Sequence, residues 1–245
     1  MTNWLAEHSR ITVFRVPGSP LDATAVWDAL VKEQPTTINT TPATKTVRIE
    51  GLHEFGQLVF QVDQVRADWF LVPRPLTDLP QEAPNIGRFD DVALVLARLV
   101  KPWISGLDNV IRLATGYVLA EPVQDHHAAY TRLDSLLHFV EVDPDSHELT
   151  FQVNRRRMSA HMVDLELNRI SKWSATRFRV MAHAIQSSGA MAVSAPPTDS
   201  FATRLDLDIS TSADRTVPLA PHVLPDLISE LSSCSFEIAE RGDVK

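Results

Sequence analysis

Alternation of apolar and other residues with a period of two is the feature that most restricts the fold of this 245-residue chain. In the stretch QLVFQV, the apolar residues Leu58, Phe60 and Val62 recur at every second position, and RLDLDI repeats the pattern from Arg204 to Ile209. Because successive side chains of a strand point to opposite faces, such stretches form strands with one buried face. The sequence therefore predicts long antiparallel strands over one core.

Four longer stretches carry helical patterns and separate the strand-rich segments. They contain capping signals such as Ser19 followed by Pro20, or apolar residues repeated every three or four positions. The stretches are SPLDATAVWDALVKE, RFDDVALVLARLVKPWIS, QDHHAAYTRLDSLLH and PHVLPDLISELSSCSFEIAE. Since strands and helices do not alternate one by one along the chain, the pattern favours an α+β fold with helices packed on one side of the sheet.

We predict two similar halves, residues 1–107 and 108–245, packed intimately enough to count as one domain. Each half begins with a strand and a helix and closes on a helix. The stretches LVFQVD (58–63) and LTFQVN (149–154) match at four of six positions. An internal duplication explains this likeness. The alternative is that alternation by itself selects Leu, Phe and Val at these positions.

Charge and cysteine content limit the classes of partner. The formal net charge of −8 disfavours general attraction to nucleic acid or to an anionic membrane. Cys234 is the only cysteine, so neither an internal disulfide nor a cysteine-rich zinc site can form, and we expect a cytoplasmic location. The amino terminus lacks the apolar segment of a secretory signal, and the most apolar long stretch, 92–107, is too short and too charged to span a membrane.

Residues 124–138 contain three histidines and two aspartates, which raises the question of a metal site. On a helix, His127, Thr131, Asp134 and His138 share one face, opposite the apolar stripe. A rise of 1.5 Å per residue separates the first histidine from the last by roughly 16 Å, whereas zinc ligands lie about 2 Å from the metal. We therefore predict a solvated helix face and no metal site.

Four carboxylates on predicted strands form a candidate catalytic site. Alternation places Asp164 and Glu166 on one face of one strand, and Asp206 and Asp208 on one face of another. Carboxylates on adjacent strands can hold a hard cation such as Mg²⁺ or act as an acid–base pair, as in a metal-dependent hydrolase or nuclease. The competing interpretation is that they pair across strands with the arginines of TRFRV, residues 176–180.

The segment 154–180 carries seven basic and two acidic residues in an otherwise acidic chain, with Trp173 and Phe178 among them. Basic residues interleaved with aromatic residues are typical of proteins that bind single-stranded nucleic acid. If the segment binds nucleic acid, the residues that contact it are Arg155, Arg157, Lys172 and Arg177. Alternatively, because the arginines at the strand end alternate between faces, the segment contacts the acidic remainder of the chain or a second subunit.

No nucleophile–base arrangement and no glycine-rich cofactor loop occurs in the sequence, so we expect no cofactor. The function expected is a non-enzymatic binding or assembly module that works through a sheet face or a pocket between the halves. We also expect a homodimer. The helix from Asp90 to Trp103 is apolar over more than half of its circumference, and a single sheet covers a stripe of only about 100°. The remaining apolar surface must therefore be buried either between the two halves or against another subunit.

The second half contains LTFQVN after a helix, then LELNRI, and then LDLDI followed by a loop and a long terminal helix. In this order of motifs, residues 120–243 resemble a sporadically distributed family of bacterial proteins of similar length whose function is unknown. The resemblance implies no catalytic residues. It implies cargo of mobile elements or of phage defence, because the family is distributed sporadically.

Overall fold

The computed structural model describes residues 3–18, 20–75, 83–180, 183–185, 191–193 and 198–244. Its centre is one sheet of ten strands, in which neighbouring strands of the described ranges are antiparallel. Helices pack against one face of this sheet. The prediction of an α+β fold with antiparallel strands is therefore confirmed.

The strands are β1 (Leu5–Arg15), β2 (Thr37–Thr41), β3 (Thr46–His53), β4 (Gly56–Val62), β5 (Arg66–Val72), β6 (Val110–Val123), β7 (Thr150–Asn154), β8 (Arg157–Met158), β9 (Glu166–Val180), β10 (His183–Ile185), β11 (Met191–Val193) and β12 (Thr198–Thr211). The helices are α1 (Ala23–Leu30), α2 (Phe89–Val92), α3 (Val95–Ile104), α4 (His126–Leu136) and α5 (Leu224–Arg241). None of the helices in the described ranges combines the length and apolar character that a membrane crossing requires.

Across the main sheet the strands lie in the order β2-β3-β4-β5-β1-β6-β12-β9-β7, and β8 also pairs with β9. The two strands at the middle, β1 and β6, pair from Leu5 opposite Ala120 to Arg15 opposite Val110. This pairing joins the strands that precede residue 107 to those that follow it, so one sheet runs through both predicted halves. The strands β10 and β11 form a separate pair.

The covered face of the sheet, defined as the face that contacts the helices, holds the core. Four of the five tryptophans, Trp4, Trp27, Trp69 and Trp173, are less than 2% exposed. The rings of Trp4 and Trp173 lie 6.3 Å apart, and those of Trp27 and Trp69 lie 5.9 Å apart. Because one cluster of buried residues continues beneath all the central strands, burial of these large side chains stabilises both halves together.

Local sequence explains where two of the helices begin. The Asp22 side chain accepts a hydrogen bond from the Ala25 backbone N–H at 3.0 Å and caps α1, and the Asp125 side chain caps α4 in the same way. Ser19, the cap predicted for the first helix, lies outside the described residues. The predicted second helix is divided into α2 and α3.

The apolar helix α3 contacts α1 and α5 as well as the strands β1 and β5. Its residues Leu96, Ala97, Val100 and Ile104 are buried, and Val95, Leu99 and Trp103 are packed against the core. Neighbouring helices of the same chain therefore cover the apolar surface for which we expected a second subunit. The helix no longer argues for a homodimer.

Candidate functional site

The open face, defined as the sheet face opposite the helices, carries most of the polar side chains of the central strands. On β12, for example, Leu205, Leu207 and Ile209 are buried on the covered face, whereas Arg204 and Asp206 are half-buried on the open face. On the central strands, the open face consists of His8, Arg10, Thr12 and Phe14 on β1, Arg66, Asp68 and Phe70 on β5, Arg112, Ala114, Gly116, Val118 and Ala120 on β6, and Arg204, Asp206, Asp208 and Ser210 on β12.

Most charges on the open face are paired with each other. The Arg204 guanidinium contacts two carboxylates, Glu7 at 2.6 Å and Asp206 at 2.9 Å. Arg66 donates to Asp68 at 2.9 Å, and Asp68 is almost fully buried beside it. Because opposite charges alternate across the strands, the open face presents local pairs rather than one field of a single sign.

A glycine on the middle strand lets one of these pairs cross the sheet. Gly116 lies directly between Arg10 on β1 and Asp208 on β12. The Arg10 guanidinium passes over Gly116 and reaches Asp208, with 3.6 Å between Nη2 and Oδ2. A Cβ atom at position 116 would lie 3.2 Å from Arg10 Nη2 and 3.3 Å from its Nε. Glycine is therefore the residue that leaves room for this crossing.

A pocket of about 410 Å³ lies at the end of the open face where β1 begins and β6 ends. Residues from before and after position 107 line it together. They are Leu5, Glu7, Ala83, Pro84, Asn85, Ala120, Pro122, Val123, Thr176, Arg177, Phe178, Ser200, Phe201, Ala202 and Arg204. Most of these residues are apolar, and the charged groups are the Glu7–Arg204 ion pair and Arg177, which pairs with Asp199. The pocket is more enclosed than the two grooves of about 450 Å³ beside α1.

His8 lies next to this pocket on the open face. Burial lowers the pKa of its imidazole below the ordinary value of 6.5, and the positive charges of Arg10 and Arg204 lower it further, although Asp206 acts in the opposite direction. The ring is also close to Phe70, with 6.1 Å between ring centroids. His8 is therefore neutral at pH 7 and can both donate and accept a hydrogen bond.

The four candidate carboxylates do not converge. Asp164 is not on a strand at all: it lies in the turn before β9 with a φ of 60°, so it does not share a strand face with Glu166. Glu166 pairs with Arg156 at 3.1 Å. Asp206 and Asp208 do share a face of β12, and each pairs with an arginine of the open face. In the described part of the chain, no group of three or more His, Cys, Asp or Glu residues is arranged to hold a metal ion.

The arginines proposed as partners for those carboxylates bind a different one. Arg177 and Arg179 both pair with Asp199 on the neighbouring strand β12, the latter at 2.7 Å. Aspartate and arginine side chains therefore do pair across neighbouring strands of this sheet, as the competing interpretation predicted. The sequence, however, does not reveal which residues lie opposite each other.

The candidate nucleic-acid residues do not form one groove. Arg155 makes a bidentate contact with Asp243, at 2.9 and 2.6 Å, and Asp243 is only 1% exposed. Arg157 contacts Glu237 at 3.1 Å and the Cys234 sulfur at 2.9 Å, on the side of α5. Lys172 lies on the open face opposite Asp206, and Arg177 lies at the far end of β9. The basic segment is thus divided between the two faces, with most of its charge paired within the chain.

The histidine-rich segment forms the solvated helix face that we predicted up to Leu136, where α4 ends, and His138 lies beyond the helix. His127, Thr131, Asp134 and His138 are exposed. The stripe on the other side, Ala129, Tyr130, Leu133 and Leu136, is buried. The exposed groups have local partners: Asp134 accepts a hydrogen bond from the Val142 N–H at 3.1 Å, and His138 Nε2 lies 2.9 Å from the Arg241 carbonyl oxygen.

Comparison with known proteins gives no match. No family model, no curated protein and no solved structure is significantly similar to the chain. The geometry of the open face is therefore the basis for a functional interpretation.

Sequence reasoning missed the residues that define this site, namely Glu7, His8, Arg10 and Gly116. Charged residues in the first strand gave no signal because single charges on a strand are ordinary surface features. The glycine inside the stretch VIRLATGYVLA did give one, since a glycine within a strand often marks the close approach of another group.

Proposed function

We propose that the protein is a non-enzymatic binding module that takes its ligand in the pocket at the end of the open face. The observation that carries this proposal is the pocket itself, which is lined by both predicted halves and combines mostly apolar residues with three charged side chains, those of Glu7, Arg177 and Arg204. Binding sites for small molecules have this composition: mostly apolar walls with a few polar groups that fix orientation.

The charged groups beside the pocket support binding rather than chemistry. Arg204 is held by Glu7 and Asp206, so its guanidinium has a fixed position, and the N–H groups that these two contacts do not use can donate to a ligand. A ligand with an apolar body and one polar or charged end therefore suits the pocket. The alternative functions are a hydrolase or nuclease that uses Asp164, Glu166, Asp206 and Asp208, and a nucleic-acid binder that uses segment 154–180. Neither has a supporting observation, because the four carboxylates do not converge and the basic residues do not form one groove.

We further propose that the two halves arose by duplication. From the centre outwards, the first half runs β1-β5-β4-β3 and the second runs β6-β12-β9-β7, with α1 following β1 and α4 following β6. This order makes β4 the counterpart of β9, whereas the similar stretches LVFQVD and LTFQVN lie in β4 and β7. The order of the strands therefore supports duplication, and the sequence likeness does not.

We also propose a cytoplasmic location and a role in phage defence. The single free cysteine supports the location, and the resemblance of residues 120–243 to a sporadically distributed bacterial family supports the role.

A dye that fluoresces in apolar surroundings tests the binding site. The anionic probe 1-anilinonaphthalene-8-sulfonate carries an apolar ring system and one charged group, which matches the pocket. We expect saturable binding to the wild-type protein and at least about tenfold weaker binding to Ala202→Trp, because the indole fills a pocket of drug-fragment size. The control is Ala25→Trp, which adds the same side chain to the groove between α1 and α3.

Equal binding by the wild type and Ala202→Trp, with weaker binding by Ala25→Trp, would place the dye site beside α1 and overturn the proposal. Near-ultraviolet circular dichroism of both variants shows whether each keeps its tertiary packing. Only variants with wild-type thermal midpoints enter the comparison.

A further inference from the structure

The main sheet ends in two edge strands, β2 on one side and β7 on the other. An edge strand exposes unpaired backbone N–H and C=O groups, which can pair with a strand of another chain. Proteins usually prevent such pairing with charged residues, prolines, bulges or a covering element. The two edges differ in how far their side chains are exposed, and the difference points to an interface.

The strand β2 is exposed on both faces. All five of its residues are exposed, and the apolar Ile38 has 49% of its surface accessible. In β7, by contrast, Phe151 and Val153 are half-buried, and Phe151 packs against the core. No side chain of β2 is buried, so backbone hydrogen bonds to β3 are the main contacts that hold this strand to the sheet. β2 therefore extends beyond the part of the sheet that the helices cover.

Neither edge strand contains a charge or a proline, so exposure is the property that distinguishes β2 from β7. The strand β2 has the sequence TINTT between Pro35 and Pro42, and its pairing with β3 runs without a register shift from Thr37 opposite Glu50 to Thr41 opposite Thr46. At the other edge, β7 is followed directly by Arg155 and Arg156, and the Asn154 side chain is already bonded to Asn168 at 2.9 Å. Uncharged residues with high β-propensity and no proline are the composition that favours strand pairing between chains.

We propose that β2 pairs antiparallel with β2 of a second copy of this chain. A twofold axis at Asn39 places Asn39 opposite the partner's Asn39 and Ile38 opposite the partner's Thr40. When two identical strands pair around such an axis, the residue at the axis lies opposite its own copy, so a charged residue there would face a like charge. An uncharged strand such as β2 avoids this repulsion and can pair with itself. The two sheets then become one continuous sheet, and Ile38 gains Thr40 of the second copy as a cross-strand neighbour.

This interface is independent of the ligand pocket, since β2 contributes no residue to it. A pair of five-residue strands buries less than the roughly 800 Å² per partner of a standard stable interface. We therefore expect a reversible dimer with a dissociation constant in about the micromolar range. Sedimentation equilibrium of the full chain from about 1 to several hundred micromolar should show a mass that rises from 27.3 kDa towards twice that value.

Charge substitutions at the axis give the specific test. Asn39→Asp and Asn39→Lys each place like charges opposite each other, and each should raise the dissociation constant by about fivefold. An equimolar mixture of the two variants places opposite charges together and should recover or exceed wild-type association. The matched controls are Gln152→Asp and Gln152→Lys on β7, which should leave the mass distribution unchanged.

A constant mass of 27.3 kDa for the wild type over the whole concentration range would overturn the proposal. So would a dimer that the Gln152 variants weaken and the Asn39 variants do not. Because the mixture contains only the same two variants, its recovery also distinguishes a lost contact from a misfolded chain.

Discussion

The covered face and the open face of the sheet are built from alternate residues of the same strands, yet they differ in what they contribute. On β9, Trp173 is fully buried against Trp4, whereas its neighbour Lys172 points to the open face. On β12, Leu205 and Asp206 show the same contrast. Removal of apolar surface from water stabilises by roughly 25 cal/mol per Å², whereas half-exposed ion pairs contribute about 0–1 kcal/mol.

This difference means that core residues and partly exposed charged residues are separated by a single residue step along a strand. The covered face holds the fold together with large apolar side chains. We expect the partly exposed charged groups of the open face to vary with little effect on folding, whereas Asp68 is nearly buried. Three measurements test this separation, from the largest expected effect to the smallest.

Truncation of neighbouring residues on β9 should show the contrast directly. We expect Trp173→Ala to lower the free energy of unfolding by about 3–5 kcal/mol, because it leaves a cavity beside Trp4. We expect Lys172→Ala to change it by less than about 0.5 kcal/mol. Urea denaturation followed by far-ultraviolet circular dichroism measures both. A loss of more than about 2 kcal/mol in Lys172→Ala would show that the open face also carries stability.

Insertion of a methyl group at the crossing on the open face should have a smaller effect. In Gly116→Ala the new Cβ displaces the Arg10 guanidinium by a few tenths of an ångström and weakens its pair with Asp208. Since this pair is partly exposed, we expect a loss of less than about 1 kcal/mol.

The variant Arg10→Ala provides the control for that crossing. In its background, Gly116→Ala should become neutral or stabilising by about 0.5 kcal/mol, because alanine restricts the unfolded chain and no longer meets a guanidinium. If the effect of the alanine were the same in both backgrounds, the close approach of Arg10 would not be the reason for the glycine.

The pH dependence attributable to His8 should be the smallest effect. Its pKa is lowered in the folded protein by burial and by Arg10 and Arg204, so the unfolded chain binds more protons at acidic pH. The contribution of His8 is therefore fully favourable above its unfolded pKa of about 6.5 and is lost as the pH falls from there through the folded pKa.

The variant His8→Gln removes this titration. The thermal midpoint of the wild type should fall more between about pH 7.5 and pH 5 than that of His8→Gln, since only the wild type must bury an imidazole that would otherwise be charged. Parallel curves for the two proteins would mean that the His8 environment is the same in the folded and unfolded states.

Local patterns in the sequence predicted the elements and their faces well. Alternation at Leu205, Leu207 and Ile209 identified the covered face of β12, and the helical spacing around Tyr130 identified the buried stripe of α4. These predictions hold because the direction of a side chain depends on the backbone geometry of its own element.

Predictions about contacts between segments that are distant in the sequence were less successful. The sequence placed Asp164 on a strand with Glu166, but the turn at Asp164 ends before β9 begins. It left open whether Arg155 contacts nucleic acid or the acidic remainder of the chain, and it did not indicate the residue that binds it, Asp243, 88 residues further along the chain. No local pattern indicates such a partner, because the pairing depends on where α5 ends relative to β7 and β8.

The sequence by itself determined the class of the fold, the position of the core residues along each strand, and the absence of a cysteine-rich metal site. The tertiary structure alone decided which strands are neighbours, that β1 and β6 meet at the centre, and that Arg10 crosses Gly116 to reach Asp208. The physical reason is the range of the interactions. Alternation and helical spacing act within a few residues, whereas the order of strands depends on the total burial achieved when the whole chain is packed.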